Sequence, residues 1–133
     1  MFGQLMRGFE IDGRFLPWGT MLDQCVDGEQ PLRRGRGLAS RIYLCGSVCG
    51  VATISVKLTA ARGDRPVTQL CYELAPLHVT TEGWLQLFNA RFGTPSFVER
   101  EDLPADASLA DRVALYARWD SDVITVGLSV YGA

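Results

Sequence analysis

Histidine and lysine are nearly missing from this chain, since His78 and Lys57 stand alone among 133 residues. One imidazole excludes the acid–base and metal schemes that need two or more. The single Lys57 lies in an alternating run rather than behind a glycine loop, and neither G-x-x-x-x-G-K-[S/T] nor G-x-G-x-x-G after a strand occurs, so no nucleotide site is expected. Long apolar runs are missing too: no stretch approaches the ~18 residues of a membrane span. Met1 to Arg7 lack the apolar run of a secretory leader. These absences predict a soluble, cytoplasmic protein without a membrane partner. In that compartment Cys25, Cys45, Cys49 and Cys71 are expected as reduced thiols rather than disulfides.

What is present suits a single α+β domain over residues 1–133, with 47% hydrophobic residues to fill its core. The formal net charge is −2, but it is unevenly spread. Residues 1–66 sum to +3 and residues 67–133 to −5. The one basic cluster, Arg33-Arg34-Gly35-Arg36, is too small for a nucleic-acid face, and no nucleic-acid partner is expected.

Along the chain, residues 1–16 show no sustained period and read as an irregular or short-strand entry, with Phe15, Leu16 and Trp18 meeting the core. Thr20, with Asp23 three residues on, predicts an N-capped short helix from Met21 to Val26, stopped at Gly28. Residues 27–37 are polar and glycine-rich and read as a mobile loop. A strand follows over Arg41 to Cys45, broken by Gly46-Ser47. Val51 to Leu58 then alternates, with Ile54, Val56 and Leu58 on one side and Thr53, Ser55 and Lys57 on the other. The turn residues Arg62 to Pro66 lead to a third strand through Leu70, Tyr72 and Leu74.

The clearest helix starts at Thr80 or Thr81. Trp84, Leu85, Leu87, Phe88 and Phe92 recur at helical spacing with Trp84 at the centre of the apolar face, Gly93 is placed for a left-handed cap, and Pro95 forbids continuation. Residues 96–112 read as an exposed acidic connection. Val113 to Trp119 and Val123 to Tyr131 flank Asp120-Ser121-Asp122 as a closing hairpin. The expected architecture is an antiparallel sheet of about five strands packed on one main helix in two layers.

Candidate chemistry is sparse. Cys45-x-x-x-Cys49 lacks the two-residue spacing of redox pairs, and a zinc site would need Cys25, Cys71 and His78 to converge on it. No metal, cofactor or catalytic residue is expected. Arg33, Arg34 and Arg36 would suit phosphate or an acidic partner. The acidic segment holding Glu99, Glu101, Asp102, Asp106 and Asp111 would suit a basic cleft on another protein.

Leu16-Pro17-Trp18-Gly19-Thr20, Arg91-Phe92-Gly93-Thr94-Pro95, and Trp119 with the closing strand Ile124 to Ser129 give the chain a layout that resembles small bacterial cytosolic immunity proteins of secreted toxins, those of the polymorphic and type VI systems. The resemblance implies a non-enzymatic protein that neutralises a cognate toxin or effector by docking on it. It assigns no binding residues, so Glu99, Glu101, Asp102, Asp106 and Asp111 are candidates on charge alone. Three other readings stay open. They are an acidic secretion chaperone, a small thiol-dependent enzyme using Cys45, Cys49 or Cys71 with His78, and a homodimer built on the apolar helix face or the terminal strand.

Overall fold

The computed structural model describes residues 2–25, 33–35, 37–101 and 113–131. The element order begins with a helical turn α1 (Phe2–Leu5), a hairpin of β1 (Gly8–Ile11) and β2 (Arg14–Pro17), a short helix α2 (Leu22–Cys25) and strand β3 (Arg33–Gly35). Next come β4 (Leu38–Leu44), β5 (Ser47–Val48), β6 (Val51–Ala60) and β7 (Val67–Leu74). Helix α3 (Thr81–Phe92), β8 (Phe97–Arg100), β9 (Val113–Asp120) and β10 (Thr125–Tyr131) complete the order. Every strand pairing among the described residues is antiparallel. The fold is α+β, but the expected single sheet of five strands on one helix gives way to three sheets of two, three and five strands. Two compact units divide the chain, Gly3–Pro76 and Leu77–Ala133 with the first two residues.

In the unit Gly3–Pro76, β4 and β5 run antiparallel to β6, and β7 pairs β6 as well. Phe9, Ile11, Leu22, Cys25, Val56, Leu58 and Val67 are buried together, with Leu16 and Trp18 packed at the margin. Phe15, expected to reach the core, stays exposed because strict alternation along β2 turns it away from the side that Leu16 takes. The entry segment is ordered by Asp12-Gly13, whose φ values of 53° and 77° make the two-residue turn that suits strand twist. Asp12 Oδ1 then accepts from the Gly46 and Ser47 amides, and Glu10 Oε2 from the Cys49 amide at 2.6 Å. Cys49-Gly50, with φ of 50° and 76°, turns β5 into β6 in the same way.

The alternation read along β6 holds at Val56 and Leu58 and fails at Ile54. Pairing with β7 slips between Thr53 and Ser55, where a bulge reverses the sides. Thr53 is buried, its hydroxyl donating to Cys45 O, and Ile54 is 46% exposed. The short helix also differs from expectation. Thr20 donates its hydroxyl to Pro17 O instead of capping, Met21 makes an isolated bridge to Pro66, and α2 is only Leu22–Cys25. Val26 and Gly28 lie outside the described residues. Arg33–Gly35, read as part of a mobile loop, is a strand paired to Leu38, Ala39 and Ser40.

In the second unit, α3 begins as expected. Thr80 Oγ1 accepts from the Gly83 amide at 3.0 Å, and Glu82 sits in the first turn. Gly93 ends the helix with its N–H on Asn89 O at φ 86° and ψ −160°, so it has the positive φ that favours glycine but not the ψ of a left-handed helical cap. Leu85 and Phe88 are the buried centre of the apolar face, while Trp84 is only half-buried. The deepest described aromatic of this unit is Trp119 on β9, 2% exposed, whose indole N–H donates to Gly93 O at 2.9 Å. Its ring meets Phe92 edge-on at 5.6 Å.

Candidate functional site

The three strands of this unit lie in the order β10-β9-β8, and their register decides what each face presents. Residues opposite one another share a face. One face carries Val98, Ala117 and Leu128 in one row and Trp119 and Val126 in the next. Leu115, Ala117, Trp119 and Leu128 on it are buried. The other face carries the row Phe97, Arg118 and Gly127 and the row Glu99, Tyr116 and Ser129.

This second face is open to solvent. Phe97, Glu99, Gly127, Ser129 and Tyr131 are exposed and Tyr116 is half-exposed. Phe97 and Tyr116 are tilted neighbours at 6.3 Å, and the Arg118 guanidinium lies 5.2 Å over the Phe97 ring. Arg118 Nε also donates to Asp120 Oδ2 at 2.9 Å, and Asp120 Oδ1 accepts from Thr125. Arg118, the one cation of the face among the described residues, is thus neutralised within it. Glu99, Glu101, Val113, Tyr116 and Ser129 line an open depression beside that pair. Gly127 leaves room for Tyr116, whose hydroxyl would stand 3.2 Å from a side chain's first carbon at that position.

The segment read as an acidic connection therefore begins as a strand. Phe97–Arg100 pairs with β9, and alternation sends Glu99 to the open face while Arg100, on the helix side, reaches Glu82 in the first turn of α3. The guanidinium hydrogen bond lowers the Glu82 carboxyl below its ordinary range and raises Arg100. Glu101 is exposed and its amide donates to Ala114 O at 3.0 Å, fixing it just beyond β8. Asp102, Asp106 and Asp111 lie outside the described residues. Phe97 and Tyr116 were not candidates in the sequence. The signal was there in Val113 to Asp120, where Leu115, Ala117 and Trp119 take one parity and Tyr116 and Arg118 the other.

Cys45 and Cys49 both lie near Tyr72, while Cys25 and Cys71 are placed on α2 and β7. Cys25 is buried with its S–H on Met21 O, and burial raises its pKa above the ordinary thiol value against the lowering effect of Arg14. Cys45 is buried with its S–H on Ser47 O. Cys49 is half-buried in its turn, and Cys71 is exposed on β7. His78 is exposed ahead of α3, in the other unit. Among the described residues no three His, Cys, Asp or Glu side chains gather as a metal site. A thiol reagent on the native protein is expected to modify Cys71 first, with Cys25 and Cys45 reacting only on unfolding. Mass spectrometry after brief alkylation checks this, and early loss of Cys45 would contradict the burial.

Tyr72 donates its hydroxyl to Glu10 O, and burial, then the neighbouring Cys45, Cys49 and Glu10, raise its pKa far above the ordinary 10.0. Arg33 and Arg34 sit on the edge strand β3, and Arg36 lies outside the described residues. Within the described residues no helix is long and apolar enough to cross a membrane. No family model, curated protein or solved structure matches the chain.

Proposed function

We propose that this protein is a non-enzymatic, cytoplasmic protein-binding module, an immunity protein that neutralises a cognate bacterial toxin by docking on it. The observation that supports this most is the open face of the β10-β9-β8 sheet, where Glu99 and Glu101 flank Tyr116 beside Phe97. Exposed tyrosine and phenylalanine supply contact area at low entropic cost. Carboxylates beside an aromatic ring suit an arginine or lysine of the partner, which stacks on the ring and bonds the carboxylates. The layout resemblance to immunity proteins supplies the kind of partner, and the acidic balance of residues 67–133 agrees with a basic one. Co-expression with the product of the adjacent gene, which the proposal expects to be a toxin, tests it. Cells are expected to survive with the unaltered protein and to die with a variant reversed at Glu99 and Glu101.

A further inference from the structure

Strands at the edge of a sheet carry unpaired backbone groups, and proteins blunt them with charge, proline or shortness. The described edges follow this rule with one exception. Glu10 marks β1, Arg14 and Pro17 mark β2, Arg33 and Arg34 mark β3, Glu73 marks β7, Glu99 and Arg100 mark β8, and β5 has only two residues. Strand β10, Thr125–Tyr131, is seven residues long with neither charge nor proline. Its outward groups can be assigned. Ser121 N–H donates to Ile124 O at 2.9 Å, so hydrogen-bonded pairs alternate from there through Trp119 with Val126, Ala117 with Leu128 and Leu115 with Val130. The backbone groups of Thr125, Gly127 and Ser129 therefore point away from β9. Among the described residues no turn or loop hydrogen bond reaches them.

We infer that β10 pairs with β10 of a second copy of this chain, antiparallel about a two-fold axis at Gly127. A second copy brings the same residues to the contact, so a charged edge would repel itself and this uncharged one does not. Centring on Gly127 sets Thr125 opposite Ser129 twice and brings glycine to glycine at the axis, where close approach costs nothing. The register slip between Val130 and Tyr131 ends the regular edge just beyond. About six backbone hydrogen bonds form across such a contact. The joined sheet is six-stranded, β8-β9-β10-β10-β9-β8, and a two-fold axis normal to it puts both copies of the Glu99 and Tyr116 face on the same side. The inference is independent of what that face binds.

Sedimentation of the full chain over rising concentration is expected to show the mass double. Thr125→Lys with Ser129→Lys sets lysine opposite lysine across the axis and is expected to restore the monomer at the same concentration. Both side chains are exposed and only the surface bond from the Thr125 hydroxyl to Asp120 is lost, so at dilutions where the unaltered protein is monomeric too the two melting temperatures should nearly agree. On the unaltered protein, amide exchange at Thr125, Gly127 and Ser129 is expected to slow as concentration rises, which decides the matter even if the double variant folds poorly. A monomer at every concentration overturns the inference. So does a dimer in which those three amides stay fast, because the contact is then elsewhere. Protection of the three amides only by a toxin strand, with the free protein monomeric, also overturns the second copy as occupant.

Discussion

Trp119→Ala is expected to lower the unfolding free energy by ~3–5 kcal/mol, the range for truncating a large buried aromatic. Two losses combine at this position. The indole is 2% exposed and meets Phe92 edge-on, so its removal leaves a cavity between β9 and the end of α3. Its N–H also donates to Gly93 O at 2.9 Å, and this hydrogen bond at the helix end is lost with the ring. Trp84→Ala removes a side chain of the same size from a half-buried site and is expected to cost less than half as much. Urea unfolding of the two variants beside the unaltered protein checks the order. Equal midpoints for Trp119→Ala and the unaltered chain would contradict the packing described for this unit.

Reversal of Glu99, Glu101 and Asp102 to lysine is expected to slow association with the basic partner proposed for this face by on the order of tenfold or more at low salt. Glu99 and Glu101 are exposed, so the substitutions should leave the fold intact. Long-range attraction acts on the encounter, and the loss should appear in the association rate more than in dissociation. Screening shortens its reach from ~10 Å at about 0.1 M salt to ~3 Å at about 1 M, so the difference between variant and parent should shrink as salt rises. Truncating Tyr116 is expected to act the other way, speeding dissociation with little salt dependence, because its contribution is contact area. Stopped-flow binding at several salt concentrations separates the two. Unchanged association of the triple reversal at low salt would move attention to Arg33 and Arg34 on β3.

Local signals carried most of the secondary structure. The Thr80 cap, the spacing of Leu85, Phe88 and Phe92, and Gly93 before Pro95 define α3 without long-range information. The alternation of Leu70 and Tyr72 and the closing hairpin around Ser121 were legible for the same reason. Asp12-Gly13 was an equally strong turn signal that the low hydrophobic periodicity of residues 1–16 obscured. Ile54 could not be placed by alternation, since one bulge inverts the sides and leaves no mark in composition. Which strand joins which sheet is a matter of distant pairing, and this is why the separation into three sheets was missed. At the candidate site the charge of Glu99 and Glu101 was visible at once. Their aromatic neighbours were not, because Phe97 and Tyr116 become adjacent only when β8 pairs with β9 across the segment between them.

The most direct test is a titration of the product of the neighbouring gene, which the proposal expects to be a toxin, with this protein, following both heat of binding and residual toxin activity. A saturable complex with equal numbers of the two chains, in which toxin activity falls to background and recovers when Glu99 and Glu101 are reversed, is the predicted result. Full toxin activity in the presence of excess protein, with no heat of binding, would contradict the account.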